Sequence, residues 1–325
     1  MAARVSIVVR TKDRPYFLAR ALGDVLAQSF ADWHVVVVND GGDRDAVERA
    51  VRPFATRLGD RITIVDTVAP GGRCAAANLG MRTAASDYVV LHDDDDRWAP
   101  AFLAQTVAWL DAHPRDGGVM VTTQIVYEEK RGDAFVQVGT APFWAGQGFV
   151  TYSRLLSVNR AVPISFLYRR SLHDDVGFYD ETLDAVEDWE FYLRVALDHQ
   201  IGYIAGEPLA FWTQRPDQRG ADGNSMYALG DIHDRDDERI RDEALRAYVR
   251  ESGPGLPLFI AGLVEKEVRR QVDDALRERQ LELGAFVEVL RRELDARHPI
   301  WSRLRALRQR VQRRRGSGTA GRDAR

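Results

Sequence analysis

Cysteine occurs once in these 325 residues, at Cys74, which rules out an internal disulfide framework and a cysteine-based zinc site and suits a reducing compartment. Long apolar runs are missing too. No stretch approaches the roughly 20 residues that span a bilayer. The apolar segment near the start, Val5-Ser6-Ile7-Val8-Val9, is too short for the core of a signal peptide. A cytoplasmic setting is therefore expected, with any membrane contact peripheral. No Gly-x-Gly-x-x-Gly follows that segment, where Thr11-Lys12-Asp13-Arg14 stands instead, and there is no P-loop; dinucleotide oxidoreductases and P-loop enzymes are disfavoured. Charge is not strongly one-signed. A formal net charge of −4, with 29% charged and 45% hydrophobic residues, names no partner and excludes disorder of the whole chain.

Strand and helix patterns alternate from Val5 to about Pro100, which predicts an α/β fold with a mainly parallel sheet flanked by helices. Val5 to Val9 reads as the first strand. From Pro15, a permitted first-turn position, Phe17, Leu18, Ala21, Leu22, Val25 and Leu26 mark one face of a helix. His34 to Val38 is a β-branched run suited to burial on both sheet faces. A second helix over about 43–58, a third strand over 61–65, the turn Pro70-Gly71-Gly72-Arg73 and a helix over about 75–85 follow. The next strand, from Tyr88, ends in His92-Asp93-Asp94-Asp95-Asp96-Arg97-Trp98.

Further on, a helix is expected over about 100–113, strands near 117–123 and 165–168, and mixed structure between them. The aromatics of that mixed stretch, Phe143, Trp144, Phe149 and Tyr152, suit either stacking on a sugar ring or a small subsidiary core. Residues 216–237 read as a polar loop or lid. Helix resumes at about 238, breaks at Gly253-Pro254-Gly255 and continues from Leu256 to His298 with an apolar stripe suited to docking. Residues 300–315 form a basic helix with Trp301 on its apolar side, a pattern that fits either a membrane surface or packing on the protein itself. The end, 316–325, reads as a disordered tail. With no binding module and no paired aromatic platform, no nucleic-acid partner is expected.

Four successive carboxylates, Asp93 to Asp96, repel one another and call for a cation, for which Mn²⁺ or Mg²⁺ is the natural candidate; a solvated turn capping the next helix is the plain alternative. Position favours a site. Thr11-Lys12-Asp13, Asn39-Asp40, the Gly71-Gly72-Arg73 turn and the Asp run all follow strands, and open α/β sheets bind ligands at the carboxyl ends of their strands. A second carboxylate pair, Glu187-Asp188, opens a helix marked by Trp189, Tyr192, Leu193 and Ala196. It either complements the helix dipole or presents a general base at the rim of a cleft.

Taken together, these segments resemble the family 2 inverting glycosyltransferases with the A-type glycosyltransferase fold. The first strand with Arg10-Thr11-Lys12-Asp13-Arg14, the Asn39-Asp40-Gly41-Gly42 segment, Gly72-Arg73-Cys74-Ala75-Ala76-Ala77-Asn78-Leu79-Gly80, the Asp-x-Asp region from Leu91 to Trp98, and Glu187-Asp188-Trp189-Glu190 match that family in order, over roughly residues 4–215. The resemblance implies a transferase domain over 1–215, the lid over 216–237, a helical extension over 238–315 and the tail. It implies nucleoside-diphosphate-sugar binding by Thr11, Lys12, Asp13, Asp40, Arg73, Asp93 and Asp94, with Arg73 near the phosphates and Asp93 near the ribose. Asp95 is implied as metal ligand, Asp96 as a possible second and His233 as a weak third; Asp188 is implied as the base that deprotonates the acceptor. Lys12 stands where relatives often carry an aromatic, so a UDP-sugar is expected with dTDP and GDP as alternatives. The acceptor is expected to be a hydroxyl on a glycan or a lipid-linked molecule in cell-surface polysaccharide or glycoconjugate synthesis. The rival readings are a nucleotidyltransferase and a non-catalytic carbohydrate-binding or scaffold protein. Cys74 is read as a packing residue and His92 as structural, pointing away from Asp93.

Overall fold

The valine-rich runs of the N-terminal half become the parallel part of a mixed sheet. In the computed structural model, which describes residues 3–224 and 230–297, β1 (Val5–Thr11), β2 (Trp33–Asn39), β3 (Ile62–Asp66) and β4 (Tyr88–Asp93) are parallel and adjacent in the order β4-β1-β2-β3. Past β4 the sheet continues through β9 (Phe166–Arg169), antiparallel to both its neighbours, then β6 (Asp116–Val121) and β10 (Gln200–Ile204), for seven strands in all. A smaller four-stranded sheet joins β5 (Arg97–Trp98), β11 (Ala210–Gln214), β7 (Thr123–Arg131) and β8 (Ala134–Pro142). The β7–β8 hairpin lies in the stretch expected to be mixed. Its strands mix short apolar stretches, Ile125 to Tyr127 and Phe135-Val136, with the charged run Glu128 to Arg131, so their hydrophobic pattern is interrupted.

Strand alternation sorts the core into two layers. Val5, Ile7 and Val9 face Leu18, Leu22 and Val25 of α1 (Pro15–Leu26) and Phe102, Leu103 and Val107 of α5 (Phe102–Ala112). Val8, Val36 and Val38 face the other way, toward Ala76, Ala77 and Met81 of α4 (Gly72–Thr83) and Phe191, Tyr192 and Val195 of α8 (Glu187–Asp198). With helices on both faces, β1 is buried from end to end, which is why its sequence does not alternate with polar residues. His92 is fully buried, packs its ring against Trp98 at 4.3 Å between centroids, and sits in the structural role expected of it.

Two compact units divide after Glu243. The first holds both sheets. It also holds the start of α9 (Gly230–Ser252), which begins inside the segment expected to be loop. Polar composition hid this helix because tertiary hydrogen bonds hold it: buried Asp236 accepts from the backbone N–H groups of Asp184 and Ala185 at 2.9 and 3.0 Å, and Arg239 donates to the carbonyl of Thr182 at 3.1 Å. In the second unit, Gly253 breaks the chain with φ of 77° and α10 (Gly255–Arg297) follows the expected span, with Leu256, Phe259, Val264, Val268 and Val272 exposed. The basic helix expected over 300–315 and the tail over 316–325 lie outside the described residues. Among the described residues no helix is long and apolar enough to cross a membrane.

Gly80 sets how closely α4 approaches the sheet, because a Cβ there would fall 2.2 Å from Val8 Cγ1. Gly23, in α1, has open space at the same point. Gly80→Ala is expected to lower stability by about 1–3 kcal/mol through overpacking, whereas Gly23→Ala should gain up to about 1 kcal/mol from helix propensity. Urea unfolding of the two variants checks the contrast, and equal effects would remove Gly80 as the spacer.

Candidate active site

The loops that follow β1, β2 and β4 and the first turn of α4 enclose one pocket of about 230 Å³. Thr11, Lys12, Asp40, Arg73 and Asp93 to Asp96 line it together, as do Arg10, Arg14, Trp212, Gln214 and Asn224. Asp13 is placed differently from its expected role: at φ of 54° its carboxylate turns to accept from the backbone N–H of Asp43 at 2.9 Å, where it fastens the turn after β2. Asp40 lines the pocket and also organises it, accepting from the N–H groups of Gly71 and Gly72 at 2.8 and 3.1 Å, which are among the donors left over at the start of α4. Trp212 presents an aromatic at the pocket, with Phe143 behind it edge-on at 5.3 Å; of the four aromatics expected to stack or pack, Phe143 packs, and Phe149 and Tyr152 are exposed.

The Asp run does not behave as four equal charges. Burial, reinforced by the charge of Asp95, pushes Asp94 up to about 7, and burial with Asp95 and Asp93 pushes Asp96 well above the carboxylate range. Burial also opposes ionisation of Asp95, but Arg14 and Arg215 outweigh it and hold that carboxyl at about 2. Hydrogen bonds spend most of the oxygens. Arg10 grips both oxygens of Asp93 at 2.6 and 3.2 Å, and Asp94 accepts from Thr11 at 2.7 Å and pairs with Arg14 at 3.1 Å. One oxygen of Asp95 takes Arg14 at 2.8 Å, Arg215, and Asn224 at 3.2 Å.

A hard divalent ion needs several open carboxylate oxygens. Guanidinium groups already seated on Asp94 and Asp95 cancel the attraction those residues would exert on Mn²⁺ or Mg²⁺. Among the described residues no group of three or more His, Cys, Asp or Glu side chains is arranged to hold a metal. As arranged, the expected site at Asp95 and Asp96 does not fit the ion. His233, expected as a third ligand, sits on α9 with Arg73 and Glu187 among its charged neighbours, and burial lowers its pKa.

The second carboxylate pair is built around Arg10. Its guanidinium reaches from Asp93 to Glu187, at 3.0 Å, and Arg73 meets the other oxygen of Glu187 at 3.3 Å. Burial disfavours the charge on Glu187, yet Arg73 and Arg10 hold it at about 2. Asp188, largely but not wholly buried, has no guanidinium on it among the described residues; it accepts from Asn159 at 3.1 Å, and burial together with the charge of Glu187 pushes it up to about 7. Val186, just before them, takes a left-handed φ of 53°, costly for a β-branched residue and characteristic of strained functional turns. Cys74 donates to the carbonyl of Leu183 and burial pushes its thiol up to about 12, so it is a packing residue and no nucleophile.

A sequence profile described as glycosyl transferase family 2 matches residues 6–177, more than half of the chain. The chain is a family 2 glycosyltransferase. This transferase is 28% identical over 206 residues to the uncharacterized glycosyltransferase YwdF of Bacillus subtilis, covering 61% of the transferase and 70% of YwdF. It is 26% identical over 208 residues to the putative colanic acid biosynthesis glycosyl transferase WcaA of Escherichia coli, covering 63% and 68%. The structure of S. aureus TarS 1–349 in complex with UDP-GlcNAc matches it with a TM-score of 0.55 at 20% identity, over 78% of the transferase and 75% of that chain, which speaks for the fold alone. The fold is the A-type glycosyltransferase fold expected from the sequence.

Arg10, Arg14, Arg215, Gln214, Asn224 and Asn159 were not singled out by sequence reasoning. Only Arg10 and Arg14 carried a signal, by flanking the segment after β1. Glu187→Gln leaves Arg10 and Arg73 facing a neutral group in a buried network, and is expected to cost about 3–5 kcal/mol of stability. Denaturant unfolding at pH 7 measures it; a loss within the ~1 kcal/mol typical of surface pairs would show that the network is not structural.

Proposed function

We propose that the transferase moves a glycosyl group from a nucleoside-diphosphate sugar to an acceptor hydroxyl with inversion, and that Asp188 is the base. The observation that carries this reading is the unequal pair Glu187 and Asp188. One carboxylate is held ionised by Arg73 and Arg10, and its charge helps raise the other to about 7, where a general base works best at neutral pH. In the step, the acceptor oxygen forms a bond to the anomeric carbon, the bond from that carbon to the diphosphate oxygen breaks with its electron pair leaving on the diphosphate, and Asp188 takes the acceptor proton.

Support for the donor comes from the pocket, whose lining combines Trp212, able to offer a flat face, with Arg14, Arg73 and Lys12, able to offer positive charge. A UDP-sugar is the donor we favour over dTDP and GDP sugars, since the TarS fragment was solved with UDP-GlcNAc and with UDP. The name of WcaA supports an acceptor in surface polysaccharide synthesis. Such an acceptor fits a cytoplasmic enzyme working at the inner face of a membrane.

Asp188→Asn should leave nucleotide binding intact while turnover falls by about 10²–10⁴-fold. Unchanged turnover would remove Asp188 from the role. The sign of the pH dependence follows from the raised pKa. Asp188 is protonated and idle below about 7, so the rate should fall about tenfold per pH unit on the acid side and level off above it. Glu187→Gln removes the charge that helps raise Asp188, so in whatever enzyme folds, the inflection should move to lower pH; an unmoved inflection would assign it to another group.

A further inference from the structure

Three guanidinium groups cluster where Arg14 meets the donor pocket, with those of Arg20 and Arg215 packed behind it. Those of Arg14, Arg20 and Arg215 lie 4.7, 5.3 and 4.4 Å from the centre of the Phe17 ring, and they share the carboxylates of Asp95 and Glu128. The sharing is uneven. Arg20 serves Glu128 at 2.7 Å, and Arg215, 0% exposed, sits on Asp95 with its other nitrogen 3.3 Å from Glu128. Arg14 is left with Asp94, whose other oxygen accepts from Thr11, and with a share of Asp95. Arg14 is also the group that faces the pocket, and its Nε–H has no hydrogen-bond partner among the described residues.

Beside Arg215, Gln214 is 1% exposed, lines the same pocket, and lacks a partner at both ends of its amide among the described residues. Burying an amide without partners is unfavourable and calls for an explanation, and a ligand that completes it in the pocket is one. An N–H of Arg14 and the amide of Gln214 are thus unspent polar groups on one pocket wall, while Asp95, the carboxylate best placed for a metal, is already neutralised by a buried arginine.

We propose that Arg14 and Gln214 receive the diphosphate of the donor directly, and that Arg215, by taking up the charge of Asp95, stands in place of a divalent cation. The inference rests on the transfer reading above. Arg14 meets the negative charge that develops on the departing diphosphate, as guanidinium clamps do for phosphates. Arg215 touches no ligand; it is a positioning residue that keeps Asp95 from neutralising Arg14.

Isothermal titration of the 325-residue transferase with UDP, and with GDP and dTDP in parallel, in EDTA and in millimolar Mn²⁺ or Mg²⁺, tests the clamp. The expected result is an affinity in EDTA within about threefold of that with metal. Gln214→Leu should raise the Tm of the free protein, because it removes a buried amide without partners, while weakening UDP binding about tenfold. Arg215→Met, where it folds, should weaken binding in EDTA and regain it with Mn²⁺, since Asp95 is then open to a cation; a merely structural defect would not be rescued by metal. Wild-type binding that tightens tenfold or more with metal overturns the clamp and leaves the transfer reading standing. Binding of none of the three nucleotides in either buffer overturns both.

Discussion

A buried guanidinium, Arg10, ties the two carboxylate clusters of the candidate active site into one unit. It projects from the interior strand β1, is 7% exposed, and meets Asp93 at the end of β4 and Glu187 at the start of α8. Charges so deeply buried are tolerated only when each finds opposite charge and good hydrogen-bond geometry. That requirement fixes α8 against the sheet edge, and with it Asp188, the next residue. Val186 bears part of the cost in its left-handed backbone. The pocket and the carboxylate proposed as base are therefore held in register by an electrostatic constraint.

The same logic governs the other side of the pocket. Asp95 takes Arg14, Arg215 and Asn224 on a single oxygen, and Glu128, on the smaller sheet, takes Arg20 and Arg215. These links pin β11 and β7 to the end of β4, so the small sheet forms a wall of the pocket. Phe17 lends its ring to three guanidinium groups and lets them approach one another in a setting poor in water.

Legibility in the sequence followed the range of the interaction. The strands of the large sheet, the amphipathic face of α1 and the break at Gly253 were readable because each is written in a few consecutive residues: a β-branched run, a helical spacing, a glycine. The convergence of Thr11, Asp40, Arg73 and Asp93 was readable one step further, since strand order in an α/β sheet brings those ends together. Asp13 escaped that logic because its left-handed φ turned the carboxylate toward Asp43. The hairpin β7–β8 escaped it because its apolar residues are interrupted by a charged run, and the first turns of α9 because polar contacts hold them.

What the sequence determined by itself was the α/β architecture, the sheet edge at which the strand-end loops meet and the two carboxylate clusters near it, all of them local patterns. Tertiary structure alone decided which carboxylates are charged and what neutralises them. Asp95 and Arg215 are 120 positions apart, Arg10 and Glu187 are 177 apart, and a chain with 45 lysines and arginines offers no local sign of which cation will meet which acid. Ionisation inside a protein depends on burial and on the distance to the nearest opposite charge, and both come into existence only when the chain has folded.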